Sequence, residues 1–294
     1  GLPGLVVDRF GEVLVLQVID VIAPPGEARP SPPPPEAHPL VKELWESLQS
    51  LSPKNFQEVY HDAFADKETL QTLYDLGLVS LRDRALAEEI FYHIARRVQA
   101  IAQNLPYVPD ELEDLEKLLA DKLVCNFSVF QSLPDAWAIH QLFPVVPLSR
   151  LLEPPTRRAT LVDISCDSDG KMDRFIDLHD VRQTLPVHPV RPGEPYYLGV
   201  FLVGAYQDVL GSNHNLFGQV GEAHVRVEEE GFAIERFVGG ETAERVIEKM
   251  GFTARELMLG VERLVRRSRL SPAEKGAFLE RYARELQGYT YLED

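Results

Sequence analysis

The sequence predicts a mixed α+β fold in which a β-domain is interrupted by a helical insertion and followed by a second helical segment. Three observations predict it: an early apolar run rich in β-branched residues, a long stretch with helical apolar spacing, and later short apolar runs bounded by turns. With 294 residues, 45% of them hydrophobic, the chain is long enough for one large or two modest globular domains.

The first element is a strand within residues 13–22. This run is β-branched, carries no polar stripe at helical spacing and follows Gly11, so residues 1–22 are assigned to the first β-domain strand and an atypical N-terminus. Residues 23–38 are rich in proline, which fixes φ and removes backbone donors. We interpret them as a stiff linker, with a peptide-docking motif as the less favoured alternative.

Residues 39–153 are predicted to form the helical insertion. Apolar residues recur at helical spacing in three stretches, the last preceded by Asp110 in its first turn. These residues are Leu40, Leu44, Trp45 and Leu48; Ala85, Ala87, Ile90, Phe91, Ile94, Ala95 and Val98; and Leu112, Leu115, Leu118 and Leu119. The pattern predicts a bundle of three or four helices.

Residues 154–240 return to strand patterning, and residues 241–294 are again helical. Apolar runs at 159–164 and 198–203 predict strands, and residues 224–237 predict a hairpin with glycine at its turn. In the C-terminal segment, Thr253 with Glu256 and Ser271 with Glu274 have the capping-box spacing that marks helix starts.

Charge and composition exclude several function classes. The net charge of −16 disfavours binding to nucleic acid or anionic membranes. No apolar run has the roughly 20 residues of a membrane span, no signal peptide is evident, and two cysteines fit a reducing cytoplasm. None of the eight lysines lies in an obvious apolar strand where burial would suit it to covalent chemistry.

The densest candidate for chemistry is the segment 163–170, which follows an apolar strand and is called here the Cys166 loop. The carboxylates of Asp167 and Asp169 disfavour a thiolate, which favours Cys166 as a proton donor over a nucleophile. Either carboxylate could bind a guanidinium or an ammonium. An ordinary Asp-Ser-Asp-Gly turn with a small core cysteine explains the same residues without function.

A second candidate is Tyr206, which follows the small residues Gly204 and Ala205 at the end of a predicted strand. Small residues allow a phosphate to approach the backbone, and a phenol can donate a hydrogen bond to it. A solvent-exposed tyrosine without a ligand is the alternative. His214 lies in a distinctive loop and is interpreted as an ordering residue, and no metal ligands are assigned.

The combined pattern resembles the biosynthetic arginine decarboxylases of bacteria and plants. The resemblance runs from about residue 13 to the last residue. It is carried by VCNFSVFQSLPDAW at 124–137, LFPVVPL at 142–148, the Cys166 loop, GAYQ at 204–207 with NLFG at 215–218, and GYTYLED at 288–294.

The resemblance implies a pyridoxal-phosphate enzyme of the alanine-racemase type, built from a (β/α)8 barrel and an antiparallel β-barrel or sandwich domain. This chain then corresponds to the portion after the (β/α)8 barrel, and the lysine that binds the cofactor lies outside it. The implied reaction is decarboxylation of L-arginine to agmatine in polyamine synthesis, with Mg²⁺ as a further family-level expectation.

The resemblance also implies roles for single residues. Cys166 matches a proton donor that reaches the active site of a second subunit in a homo-oligomer, Asp167 matches a carboxylate for the guanidinium, and Tyr206 matches a contact to the cofactor phosphate. Asp169 is grouped with substrate binding without a separate role. We expect the chain alone to be inactive.

Two alternatives stay open. The chain could be a non-catalytic paralogue without the cofactor barrel that binds or regulates a decarboxylase, or a helical scaffold in which the Cys166 loop and Tyr206 lie far apart. Residues 1–11 depart from the family pattern and resemble a segment of RNA cytosine methyltransferases, but no nucleotide-binding loop follows.

Overall fold

The structure is a computed structural model. It describes residues 6–7, 16–22, 31–102, 104–105, 112, 115–178, 181–204, 206–229 and 231–293. The predicted strand start at Val13, residues 23–30 of the proline-rich linker, Asp110 and Ala205 lie outside the described residues. The chain divides into two compact units, a helical unit, Pro25–Ala120, and a β-unit formed by Gly1–Pro24 and Asp121–Asp294. Among the described helices, none is long and apolar enough to cross a membrane.

The helical unit contains the helical bundle predicted within residues 39–153, but it ends at Ala120, and residues 121–153 belong to the β-unit. Its described helices are α1 (Pro39–Ser50), α2 (Phe56–Asp75), α3 (Leu81–Ala102) and α4 (Leu115–Leu119). The core centres on Phe91, whose ring contacts the rings of Tyr60, Phe64 and Tyr92 at 5.5–6.1 Å. The apolar pattern of the sequence does not mark α2 clearly. Only four of its 20 residues are buried apolar side chains, and they are widely spaced.

The C-terminal end of α1 is closed by an arginine from α3. Arg97 donates hydrogen bonds to the backbone carbonyls of Leu48 (2.7 Å) and Leu51 (3.2 Å). Carbonyls at the end of a helix have no partner within it, so this arginine both satisfies them and ties two helices together.

The β-unit contains twelve described strands. They are β1 (Val6–Val7), β2 (Leu16–Ile22), β3 (Asp121–Cys125), β4 (Val145–Pro147), β5 (Arg157–Val162), β6 (Lys171–Met172), β7 (Phe175–Ile176), β8 (Val181–Arg182), β9 (Leu185–Val187), β10 (Tyr197–Phe201), β11 (Glu222–Glu228) and β12 (Gly231–Val238). Ten form one sheet with the order β12-β11-β1-β2-β3-β5-β6, in which β10 also joins β2 to β4 and β9 pairs with β5. The predicted hairpin is β11–β12.

The expectation of purely antiparallel pairing is wrong, and the barrel or sandwich architecture stays a prediction. Two strand pairs are parallel, β1 with β11 and β3 with β5, and the path of described strands does not close into a ring. Between β3 and β5 the chain passes through two short helices, α5 (Val129–Ser132) and α6 (Pro134–Ala138). A parallel pair requires such a crossover, which alternating apolar patterns do not reveal.

The short helix α7 (Tyr206–Leu210) lies between β10 and β11. After β12 the chain ends in three helices: α8 (Ala243–Lys249), α9 (Ala254–Arg267) and α10 (Pro272–Leu286). Both predicted capping boxes are confirmed. The side chains of Thr253 and Ser271 each accept from a backbone N–H three residues on, and the glutamate at that position accepts in return.

Residues 289–292, called here the C-terminal tail, return to the β-unit core. Asn126 donates to the carbonyl of Leu292 (2.8 Å) and accepts from its N–H (3.0 Å). The hydroxyl of Tyr291 donates to the carbonyl of Gly218 (2.9 Å). Burial raises the pKa of Tyr291 far above its ordinary value, so this phenol stays protonated and keeps its role as donor.

Candidate active-site loop

The Cys166 loop follows β5 and is anchored by a buried carboxylate. Asp163 is 4% exposed. One of its oxygens accepts from the backbone N–H of Val129 (2.8 Å), and the other accepts from the N–H (2.8 Å) and hydroxyl (2.6 Å) of Ser165. A buried carboxylate with three donors fixes the backbone around it, so hydrogen bonds hold the start of the loop in addition to the packing of Ile164 on the core.

Gly170 closes the loop. Its carbonyl accepts from the N–H of Asp163 (2.8 Å), and its N–H donates to the carbonyl of Asp167 (3.1 Å). A Cβ at this position would overlap the side chains of Asp163 and Ser165, so the loop requires glycine for a close approach. Within the turn, Asp167 also accepts from the N–H of Asp169 (2.9 Å).

The structure brings a second segment, residues 213–217, against this loop. The side-chain oxygen of Asn215 accepts from the N–H of Cys166 (3.4 Å), and its amide nitrogen donates to Cys166 Sγ (3.3 Å). His214 Nε2 lies 3.6 Å from Asp167 Oδ2, and its ring packs on Phe130 at 4.5 Å. His214 and Asn215 therefore contact two of the four residues predicted to carry chemistry, Asp167 and Cys166.

Tyr206 lies at the first residue of α7 with its side chain 76% exposed. The buried neighbour Gln207 holds the start of α7. It accepts from the N–H of Asp135 (3.1 Å) and donates to the Asp135 carboxylate (2.6 Å). A Cβ added to Gly204 would meet no atom within 4 Å, so the backbone before Tyr206 is open to approach.

The structure thus brings only some of the predicted site residues close together. Cys166 and Asp167 share contacts with Asn215 and His214, whereas Tyr206 has no contact with Cys166 among the described residues. The two are linked through the chain, because the segment that begins at Tyr206 continues into the loop that holds Asn215. Asp169 is exposed and lines a shallow pocket together with Trp137, His140, Lys171 and Arg174.

Sequence reasoning missed two site residues. Asp163 was part of the noted motif without a role, although its position directly after an apolar strand is typical of a buried anchor. Asn215 was part of a distinctive loop and of the NLFG motif, without a role. Its contact with Cys166 joins residues 49 positions apart, and nothing in the local pattern indicates it.

The described residues fit a phosphate group but neither a metal ion nor a buried reactive lysine. No group of three or more His, Cys, Asp or Glu side chains in that part of the chain could hold a metal ion. All eight lysines are described and none is buried, so the chain offers no desolvated amine. An open backbone at Gly204 beside an exposed phenol at Tyr206 does fit an anionic phosphate.

Comparison with known proteins supplies the family. Residues 34–116 match the family described as "Arginine decarboxylase helical bundle domain", and residues 243–292 match "Arginine decarboxylase C-terminal helical extension". The chain is 53% identical to the biosynthetic arginine decarboxylase of Deinococcus radiodurans over 96% of this chain and 44% of the relative. It is 45% identical to that of Bacteroides thetaiotaomicron, with coverages of 96% and 45%.

A solved structure agrees with these relatives. The chain superposes on the biosynthetic arginine decarboxylase of Campylobacter jejuni with a TM-score of 0.78 at 30% identity, covering 95% of this chain and 46% of that one. The chain thus spans less than half the length of the relatives it matches. The chain is therefore similar in sequence and fold to the C-terminal part of the biosynthetic arginine decarboxylases.

Proposed function

We propose that this chain supplies one part of an active site that decarboxylates L-arginine to agmatine and CO2 at the start of polyamine synthesis. The observation that carries the proposal is the exposed Cys166, hydrogen-bonded by Asn215 and next to the partly exposed Asp167, in a chain 53% identical to a biosynthetic arginine decarboxylase.

Cys166 is the proposed proton donor to the substrate α-carbon after CO2 has left. Its side chain is exposed, so substrate and solvent can both reach the sulfur. Asn215 offers the sulfur only an N–H, which cannot accept the thiol proton, and that proton remains available for transfer. A positioned acid of this kind typically contributes about 10²- to 10⁴-fold to a rate.

Asp167 is the proposed partner of the substrate guanidinium. A planar guanidinium donates in a fork that matches a carboxylate, and a carboxylate fixed in its turn gains orientation as well as charge. Asp167 is fixed by the N–H of Asp169, and its side chain remains 36% exposed beside His214. Asp169 adds a second carboxylate, which is exposed, in the same loop.

Pyridoxal 5′-phosphate is the proposed cofactor, and it supplies an electron sink for the pair released with CO2. Tyr206 would donate to its phosphate, and Gly204 leaves room for that phosphate at the backbone. The lysine for the cofactor is proposed to come from residues outside this chain, since no lysine here is buried. Mg²⁺ finds no fitting ligand group in the described part of the chain, and it has no step here.

The site is proposed to be composite. Cys166 and Tyr206 are both exposed on this chain, which leaves them free to contact a second subunit of a homo-oligomer. Such an arrangement requires groups from two copies to meet at one substrate, and it explains why the reactive thiol lies at the surface rather than in an enclosed pocket.

A chimaera tests the proposal. This chain replaces the matching residues of the Deinococcus radiodurans relative, and agmatine formation from L-arginine is measured by mass spectrometry. We expect the chimaera to form agmatine and the 294-residue chain alone to form none. A folded chimaera that binds the cofactor but forms no agmatine would contradict the proposal and favour a non-catalytic paralogue that binds a decarboxylase.

A further inference from the structure

We infer that Asn215 is a positioning residue for the Cys166 thiol and that the C-terminal tail holds it in place. The inference deepens the proposed function, because it assumes that Cys166 is the proton donor. Asn215 is part of the NLFG motif at 215–218, but the sequence assigns it no role, and the role inferred here comes from its contacts.

The Asn215 side-chain amide makes two hydrogen bonds with Cys166. Its oxygen accepts from the Cys166 N–H, and its nitrogen donates to Cys166 Sγ at 3.3 Å. Rotating the amide by half a turn would set its NH2 group against the Cys166 N–H, a donor facing a donor, so the backbone bond selects the observed orientation. The side chain therefore fixes the sulfur and the backbone of the same residue.

The backbone of residues 213–217 also holds the Asn215 side chain in place. Asn215 has φ 56° and ψ 22°, and Leu216 has φ 62°, both in the left-handed region. Asparagine tolerates this region, whereas leucine does so at a cost, and such strain persists only where surrounding bonds impose it. Asn213 imposes it from within the loop, since its side chain donates to the carbonyl of Phe217 (2.8 Å) and its carbonyl accepts from Leu216 (2.8 Å).

The C-terminal tail binds the residue that follows this segment, Gly218. The N–H of Gly218 donates to the Thr290 hydroxyl (2.9 Å), and the carbonyl of Gly218 accepts from the Tyr291 hydroxyl (2.9 Å). The rings of Phe217 and Tyr291 stack with centroids 5.1 Å apart. Residues more than 70 positions away thus bind both backbone groups of the residue that ends the loop.

The proton balance follows from this geometry. The thiol hydrogen of Cys166 passes to the substrate α-carbon, and the sulfur is left as a thiolate facing the Asn215 N–H. That N–H stabilises the thiolate, and solvent returns a proton to the exposed sulfur. Asn215 touches neither substrate nor cofactor in this account, and it acts only through Cys166.

Thiol alkylation tests the inference on this chain. Iodoacetamide modification of Cys166 is followed by mass spectrometry, with the fully buried Cys125 as internal reference. Because one N–H stabilises the reactive thiolate, we expect Asn215→Ala to slow alkylation by about fivefold. Asn215→Asp, which replaces that donor with a like charge of similar shape, should slow it further. A merely structural role would loosen the loop and speed alkylation, and an unchanged or faster rate would overturn the inference.

A double-mutant cycle tests the part played by the tail. Tyr291→Phe removes only the hydroxyl that binds the Gly218 carbonyl. We expect it to slow Cys166 alkylation in the parent chain and to have no further effect when Asn215 is already alanine. Equal effects in both backgrounds would show that the tail acts independently of Asn215.

The chimaera separates this inference from the proposed function. If Cys166→Ala leaves agmatine formation unchanged, the proposed function fails. If Cys166→Ala abolishes agmatine formation while Asn215→Asp preserves both the rate of turnover and the rate of alkylation, only the positioning role fails. Far-UV circular dichroism of each variant confirms that it is folded.

Discussion

The helical unit and the β-unit are stabilised in different ways. Among the described residues, every fully buried side chain of the helical unit is apolar. The β-unit instead buries eight polar or charged side chains within its core: Asn126, Ser128, Gln131, Ser132, Asp163, Thr184, His188 and Gln207. The difference teaches that the helical unit needs only a packed bundle, whereas the β-unit uses polar groups to fix its loops.

The polar groups of the β-unit lie where backbone direction matters. Asp163 anchors the Cys166 loop, Gln207 holds the start of α7, and Asn126 holds the C-terminal tail. Hydrogen bonds are directional and apolar contacts are not, so these residues fix orientation at a modest gain in stability. Loops near the candidate site are therefore held more specifically than apolar packing alone would allow.

The chain carries one tryptophan in each unit, which makes the comparison measurable. Trp45 packs against the helical core, and Trp137 lies 5.2 Å from the Phe130 ring in the β-unit. Replacing either tryptophan with phenylalanine leaves fluorescence that reports urea unfolding of the other unit. The predictions below use these two backgrounds.

The largest effect is expected from Phe91→Ala. Phe91 is 0% exposed and contacts three aromatic rings, so its removal leaves a large cavity. We expect the free energy of unfolding of the helical unit to fall by about 3–5 kcal/mol. The Trp137 signal should unfold as in the parent. A shift of equal size in both tryptophan signals would show that the two units unfold as one.

Asp163→Ala should have the next largest effect, and on the β-unit. It leaves the donors of Val129 and Ser165 without their buried acceptor, which we expect to cost about 2–4 kcal/mol in the Trp137 signal. Asp167→Ala, at a partly exposed carboxylate, is the control and should change stability by less than about 0.5 kcal/mol. Similar losses for both would contradict the anchoring role of Asp163.

Two glycines sharpen the comparison within the β-unit. Gly170→Ala places a Cβ against Asp163 and Ser165, and we expect it to destabilise the β-unit by about 1–3 kcal/mol. Gly204→Ala meets no neighbour within 4 Å and should leave urea unfolding unchanged. If Gly170→Ala were as well tolerated as Gly204→Ala, the close approach in the Cys166 loop would be refuted.

The smallest effect is expected from lowering the pH, which weakens the capping boxes of α9 and α10. Hydrogen bonds from Thr253 and Ser271 lower the pKa of Glu256 and Glu274 below the ordinary 4.5. A lowered folded-state pKa stabilises α9 and α10 fully above 4.5, and the contribution is lost as pH falls through the folded value. In far-UV circular dichroism, Glu256→Gln with Glu274→Gln should flatten this acid-dependent loss of helicity. An unchanged pH profile would contradict it.

Local rules predicted the features that depend on neighbouring residues. The capping boxes follow from a spacing of three residues, and the β11–β12 hairpin follows from alternation around Gly231. The helical bundle follows from apolar stripes in α1 and α3. Each of these features is decided within one or two turns of chain, where sequence and structure are directly linked.

Long-range features escaped prediction. The parallel pairing of β3 with β5 depends on a crossover, and the clamp between Asn126 and Leu292 joins residues 166 positions apart. Local patterns made Cys166, Asp167, Asp169 and Tyr206 candidates, the resemblance to a known family supplied their individual roles, and those roles stay predictions. The residue that holds the thiol, Asn215, depends on a tertiary contact that no periodic pattern records.

The most direct measurement is agmatine formation by the Deinococcus chimaera carrying Cys166→Ala, compared with Cys125→Ala as a control at the buried thiol. We expect Cys166→Ala to reduce turnover by about 10²-fold or more while cofactor binding is retained, because the proton donor is lost. Cys125→Ala should keep turnover within about threefold of the parent, because that buried thiol has no role in proton transfer. Full turnover without the Cys166 thiol would contradict the account.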